Sequence, residues 1–321
     1  MAEHLPIFLR AHTEVVRLAG SSRETPKKTR PNPLEHKKIN ICKWPEYALV
    51  FDCETTTDTR QALTFGSFRF CCVDIASNYR CIEEGIFCDE LSEADPEALA
   101  VLRGYARTAE AETLEGFTRK MRLLSRSDFM ELVFWKAADR AEALVVGFNL
   151  PFDLSRLALD NRIARRRNEG WSLVMFQDLD PESGKPREHP FRPRIIITPK
   201  DSKAAFIRFA GISKRSKKTK QRLIPYRRGR FLDLRTFGWA LRNESYSLQR
   251  ACEAFGVPGK LDHKPTGCVS REEVEYCRQD IRATVSLLNA MRREFDRHPI
   301  DLAPEQAYSP ASIAKAYLGA I

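Results

Sequence analysis

The chain has 321 residues, of which 43% are hydrophobic and 10% aromatic, and a net charge of +10. That is material for one large domain or two ordinary ones with a real core, which excludes wholesale disorder. No apolar run reaches the roughly eighteen residues a membrane span needs, and the N-terminus lacks a basic region followed by an apolar core and a small-residue cleavage site.

The nine cysteines are an odd number and mostly sit in apolar runs (Cys71, Cys72, Cys81, Cys277). They read as buried free thiols in a reducing compartment, and a cytoplasmic, nucleic-acid-associated protein is expected. No CxxC pair occurs, which disfavours zinc. The positive charge is local. Between Arg162 and Arg230 stand 20 Lys/Arg and 6 Asp/Glu, a net of +14, whereas the remainder nets −4. Such a segment suits a polyanion whose counterions are released on contact, or else is a solvated loop.

In chain order, residues 1–43 read as a basic extension, with a short helix in Met1–Gly20 and a linker rich in Pro, Lys and Arg over Ser21–Lys38. Strands follow at Tyr47–Cys53, Leu63–Asp74 and Cys81–Asp89, with connections short enough for an antiparallel meander. Helical patterning covers Ser92–Ala111 and Ser127–Ala141. The apolar run Ala143–Phe148 fits a buried parallel strand, and a helix begins near Asp153. The basic segment holds β-rich stretches at Trp171–Asp178 and Arg194–Phe209. Arg230–Thr236 resumes an apolar strand, and Ser247–Phe255 is a helix. Ser270-Arg271-Glu272-Glu273 is a capping box opening a long amphipathic helix that ends near Arg297. Ser309–Leu318 starts one more helix. Alternating helices and strands after a meander predict an α/β fold with a mixed central sheet flanked by helices.

Three motifs carry chemistry. In Phe51-Asp52-Cys53-Glu54-Thr55, strand periodicity puts Asp52 and Glu54 on one face, where two carboxylates suit a hard divalent cation. In Asn149-Leu150-Pro151-Phe152-Asp153, Asp153 follows a buried strand at the start of a helix. In Tyr276-Cys277-Arg278-Gln279-Asp280, Tyr276 and Asp280 are four apart and share a helix face. Each alone has an ordinary structural reading: solvated turn acids, a helix N-cap, a helix-surface pair. Together, four acids can hold two divalent metals of the kind used for phosphodiester cleavage.

Asp52-x-Glu54-Thr55, Asn149-x-x-Phe152-Asp153 and Tyr276-x-x-x-Asp280 resemble, in order and spacing, the three exonuclease motifs of the DEDD superfamily in its tyrosine-containing subclass. The resemblance is nearest to the proofreading domain of family B DNA polymerases, notably the protein-primed ones of phages and linear plasmids. It covers roughly residues 46–296 and includes Gly259–Lys264.

It implies a ribonuclease H-like 3′→5′ exonuclease domain over 44–298, carrying the basic insertion 162–230. Residues 299–321 resemble the start of a polymerising region, although no palm motifs follow. It further implies that Asp52, Glu54, Asp153 and Asp280 hold two Mg²⁺ or Mn²⁺ ions and that Tyr276 orients the attacking water. By the same resemblance Thr55, Asn149 and Phe152 contact the terminal nucleotides, and Lys260 lies near the scissile phosphate. Lys214, Arg215, Lys217, Lys218 and Lys220 in the insertion are expected to bind substrate backbone. Expected partners are single-stranded DNA or frayed 3′ ends and a polymerase module or other replication protein, with no membrane. Competing readings are an RNA 3′-end trimming enzyme and a non-catalytic nucleic-acid-binding accessory protein.

Overall fold

The computed structural model describes residues 44–90, 95–163, 170–189, 192–200, 204–210, 214–215, 222–223, 229–259, 263 and 266–319. The expected N-terminal extension, 1–43, lies outside them. Strands β1 (Tyr47–Thr55), β2 (Leu63–Val73) and β3 (Tyr79–Cys88) form the expected antiparallel meander. Helix α1 (Pro96–Thr108), capped by the Asp95 carboxylate, leads to a short strand, β4 (Arg122–Ser125), parallel to β3. Helix α2 opens as one turn, Arg126–Asp128, and widens into π-type turns at Phe129–Phe134 and Lys136–Arg140. Strand β5 (Leu144–Gly147) returns parallel to β1, and helix α3 (Leu150–Leu157) follows it.

The basic insertion builds β6 (Asp160–Ile163), β7 (Trp171–Val174), a hairpin of β8 (Gln177–Leu179) and β9 (Pro186–Glu188), then β10 (Ile195–Pro199) and β11 (Ala205–Phe209). A small ladder pairs β12 (Lys214–Arg215) with β13 (Arg222–Leu223). The chain then re-enters the main sheet as β14 (Arg230–Asp233), parallel to β5, and continues through α4 (Leu234–Arg242), α5 (Leu248–Ala254), α6 (Arg271–Asp296) and α7 (Pro310–Gly319).

The main sheet has six strands in the order β14-β5-β1-β2-β3-β4, and the insertion forms a four-stranded sheet, β11-β10-β7-β6. The protein is therefore α/β, with a mixed central sheet flanked by helices. Strand alternation sorts β1 between two cores. Ala48 and Val50 pack toward α4, α5 and α6, while Leu49, Phe51 and Cys53 pack toward α2, α3 and the insertion's apolar face of Leu173, Ile195 and Ile197. Asp52 and Glu54 continue the Ala48/Val50 side and so face α6. Residues beyond 298 join that first core through Ile300, Ala307 and Ile313.

Several local expectations are corrected. The stretch read as a strand over Arg230–Thr236 splits at Asp233, whose carboxylate accepts the Thr236 N–H at 3.0 Å and starts α4. The start of α3 is Leu150, so Asp153 lies within its first turn and is not its cap. Helix α2 starts at Arg126, one residue before the expected Ser127, and Ser125 caps it by accepting the Asp128 N–H. Among the described residues no helix is long and apolar enough to cross a membrane.

Candidate active site

The acids of β1 stand where the strand leaves the sheet interior. Asp52 and Glu54 are half-buried, and beneath them Cys53 pairs with Gly66 of β2. Gly66 is required there: a Cβ would lie 2.3 Å from the Phe87 ring and 2.5 Å from the Asp52 carbonyl oxygen. The neighbour on α6 is Cys277, which is fully buried. One ligand atom each from Asp52, Glu54 and Cys277 lie within 4.8 Å of one another. Burial, followed by the charges of Glu54, Asp52 and Asp280, pushes the Cys277 thiol well above its ordinary range.

Asp153 enters from the other side of the sheet. It is 2% exposed, and its Oδ2 has no hydrogen-bond partner among the described residues. Burial drives its carboxyl well above the usual carboxylate range. The charge of Asp52 adds to this, as do those of Asp233 and Glu54, and a hydrogen bond from the Cys53 backbone only partly opposes it. A buried carboxylate is stable only when paired, hydrogen-bonded or bound to a metal. Three carboxyls thus act on one another at the ends of β1 and β5, and the donor set, all oxygen, is the one hard cations take. The residues present fit such a group.

The approach of α3 to this point depends on a residue the motif pattern did not single out. Asn149 adopts left-handed backbone angles, φ 76° and ψ 40°. The turn is held because Asp233 Oδ1 accepts the N–H groups of Asn149, at 2.8 Å, and of Leu150, at 3.0 Å. Asp233 Oδ2 accepts the Thr236 N–H and, at 2.6 Å, the Thr236 hydroxyl. One buried carboxylate thereby ties the C-terminal end of β14 to the turn that delivers Asp153.

Helix α6 brings Tyr276 and Asp280, both buried at 3% and 6% exposure, which removes the solvated-surface reading of that pair. Asp280 extends the acidic group along the helix past Cys277, and its charge also contributes to raising the Cys252 thiol of α5, mainly through burial, to about 11. The Tyr276 ring sits 4.9 Å from the His263 ring at an interplanar angle of 44°, and His263 Nε2 lies 3.1 Å from Glu273 Oε1. The same Glu273 oxygen accepts the Thr266 N–H at 2.6 Å and its hydroxyl at 2.7 Å. Gly267, at φ +76°, lets this loop press against Thr57, whose backbone N would be 2.9 Å from an added Cβ.

The rotation of α6 is set by a buried ion cluster on β3. Arg278 forks onto Glu84 through two 3.1 Å bonds and donates to the Tyr105 hydroxyl at 2.5 Å. Arg69 reaches the same Glu84 at 3.1 Å. Burial alone would raise the Glu84 carboxyl, but hydrogen bonds from Arg278 and the charges of Arg69 and Arg278 hold it below the usual range. The cluster therefore stores a paired charge in the core and points the opposite face of α6 toward β1.

Of the other expected residues, Thr55, Asn149 and Phe152 are half-buried around the acids. The Phe152 ring carries the Arg156 guanidinium 4.9 Å from its centroid, and Arg156 also donates to the carbonyls of Arg60, at 3.2 Å, and Gln61, at 2.8 Å. Lys260, Lys217, Lys218 and Lys220 lie outside the described residues, as do the side chains of Lys214 and Arg215. Asp233, Cys277, His263 and Arg156 are the neighbours that motif reading left without a role. Only Asp233 carried a local signal, the Asp-x-x-Thr spacing of an N-cap. No protein-family model matches the chain, and no curated protein matches it either.

Proposed function

We propose that this chain is a metal-dependent 3′→5′ exonuclease of ribonuclease H-like fold that removes nucleotides from DNA 3′ ends. It would serve as the proofreading domain of a family B DNA polymerase or as a solitary derivative of one. The observation that carries the reading is Asp153, buried and with an Oδ2 unpartnered among the described residues, near the charges of Asp52 and Glu54 at the ends of two adjacent parallel strands. The sheet supports it: an antiparallel meander flanked on the β1 side by strands parallel to β1 is the arrangement expected of that fold, and β4 and the insertion's sheet are additions to it.

Asp52, Glu54, Asp153 and Asp280 would hold the cations. What a bound pair of divalent ions supplies is an activated water and stabilisation of the charge on the departing oxygen. Every other task falls to the chain. Tyr276 orients the water, and Phe152 offers a face on which a terminal base stacks without regard to sequence. Asn149 and Thr55 position the terminal nucleotide, and Lys260 steadies the scissile phosphate. The basic insertion draws in the backbone by counterion release.

A 5′-labelled oligonucleotide tests this directly. With Mg²⁺ or Mn²⁺ a descending ladder from the 3′ end is expected, and with EDTA none. Paired ends should be cut more slowly than frayed ones, because each step that must unstack costs about 1.4 kcal/mol. Immediate release of labelled mononucleotide, or cutting of a closed single-stranded circle, defeats the assignment. A matched RNA in the same assay separates DNA from RNA as substrate.

A further inference from the structure

We infer that Cys277, together with Asp52 and Glu54, forms a binding site for a thiophilic divalent cation of the zinc class, overlapping the carboxylate pair. The three side chains come from β1 and from the middle of α6, and a donor atom of each lies within 4.8 Å of the other two. In a tetrahedral zinc site with sulfur at about 2.3 Å and oxygen at about 2.0–2.2 Å, ligand atoms stand roughly 3.5 Å apart. The trio therefore needs to close by at most about 1.3 Å on this scale. Cys277 is packed in the core, whereas Asp52 and Glu54 are half-buried.

A second observation points to a cation at this place. The Asp153 carboxyl, 2% exposed, keeps an oxygen with no hydrogen-bond partner among the described residues, and Asp52 and Glu54 are among the charges it feels. A buried carboxyl close enough to feel both acids thus has an oxygen that no described residue satisfies. A carboxylate-only cluster favours Mg²⁺ or Mn²⁺, but a thiolate added to it shifts preference to softer ions, which also stand higher in the affinity order for divalent metals. On binding, Cys277 Sγ forms the metal–sulfur bond and its proton leaves to solvent. Sequence spacing gives no sign of this, because the thiol stands more than two hundred positions from the acids.

The inference shares its carboxylates with the proposed nuclease site, so the test reads the metal itself. The metal-free 321-residue chain is titrated with Co²⁺. One equivalent should produce the near-ultraviolet sulfur-to-cobalt charge-transfer band. That band should be absent in Cys277→Ala and retained in Cys268→Ser, whose thiol is exposed elsewhere. X-ray absorption on zinc-loaded wild-type protein, which requires no variant to fold, should count one sulfur scatterer at about 2.3 Å. In the Mn²⁺-supported nuclease assay the zinc concentration that halves the rate should rise about tenfold or more in Cys277→Ala, the scale expected for loss of one contributor to a metal site. Purely oxygen and nitrogen coordination of zinc, or a cobalt band that survives Cys277→Ala, overturns the inference. The expected band in a protein without nuclease activity supports it and removes the nuclease reading instead.

Discussion

Asp233 accepts the backbone N–H of Asn149 at 2.8 Å, and this bond fixes a residue in the left-handed region one turn before Asp153. The same oxygen takes the Leu150 N–H, so two donors at the start of α3 depend on one acid contributed by a different strand. Asp233→Ala strands both N–H groups, that of Leu150 buried and that of Asn149 half-buried, and also uncaps α4. At about 1–3 kcal/mol for each stranded buried group and about 1 kcal/mol for a lost cap, unfolding free energy should fall by roughly 3 kcal/mol or more. Asp233→Asn keeps an acceptor for Asn149 and Leu150 and should recover part of that loss. Urea denaturation of both variants measures it, and equal stabilities for Ala and Asn would remove the acceptor role.

Asp153 gives the metal-free protein a pH signature. Its folded pKa is raised above the ordinary 3.8, first by burial and then by Asp52. Between 3.8 and the raised value the native state holds the extra proton, so stability falls as pH rises through that window and the loss persists above it. Asp153→Asn removes the titrating group while keeping the shape. Without metal, the variant should match wild type near pH 3.5 and exceed it at neutral pH, with Tm higher by about 2–4 °C for each kcal/mol recovered. Adding Mn²⁺ should stabilise wild type more than the variant. A variant less stable than wild type at neutral pH without metal contradicts this.

How far the sequence reaches is clear from these residues. The β1 acids were legible because strand period alone fixes their shared face, and the long helix was legible because its apolar stripe and the Ser270 cap agree. In the structure the Ser270 hydroxyl accepts the Glu273 N–H at 3.2 Å. The Glu273 carboxylate, however, turns to Thr266 and His263, a tertiary choice that local pattern does not encode. Helix α4 was missed because Phe231, Leu232 and Leu234 continue a strand-like apolar run straight through its cap. Cys277 read only as one member of a buried stripe, since its proximity to Asp52 arises from the packing of α6 across β1. The widened turns of α2 carry Phe129 and Phe134 beneath the sheet, where the Phe129 ring stacks on Phe87 at 4.1 Å.

The Glu84–Arg278 pair predicts the opposite pH behaviour from Asp153. Glu84 is 1% exposed and serves two arginines, and its carboxyl is held below the ordinary 4.5. A depressed acid stabilises the fold above its unfolded pKa, and that stability is lost as pH falls through the folded value. Glu84→Gln removes the buried counter-charge that Arg69 and Arg278 share and leaves them only the more exposed Glu112, at 3.0 Å from Arg69, and Glu275, at 3.3 Å from Arg278, a change of at most about 3–5 kcal/mol. The variant should be far weaker than wild type at pH 7, and the gap should narrow on acidification. Because Arg278 sets the rotation of α6, replacing both Glu84 and Arg278 by Met should restore some stability without restoring cleavage. Full activity in that double variant would show that the pair does not aim Tyr276 and Asp280.

Asp52 and Tyr276 divide the proposed work unequally, and their variants should differ in kind. Asp52 sits beside Glu54, Cys277 and Asp153 and would bind cation, so Asp52→Ala should abolish the metal-induced rise in Tm and reduce kcat by about 10³-fold or more, the cost of losing a group that stabilises transition-state charge. Tyr276 is packed against His263 and would only orient a water. Tyr276→Phe keeps the ring and its 4.9 Å neighbour, so metal binding should be preserved and kcat should fall within about 10²-fold, the lower end for a positioned proton-handling group. Differential scanning calorimetry with and without Mn²⁺, run beside single-turnover cleavage of a 5′-labelled strand, separates the two roles. If Tyr276→Phe loses the metal-dependent Tm shift, or if both variants lose the same activity, the division fails. Preserved metal binding with no cleavage by wild type would leave a metal-binding protein that is not a nuclease.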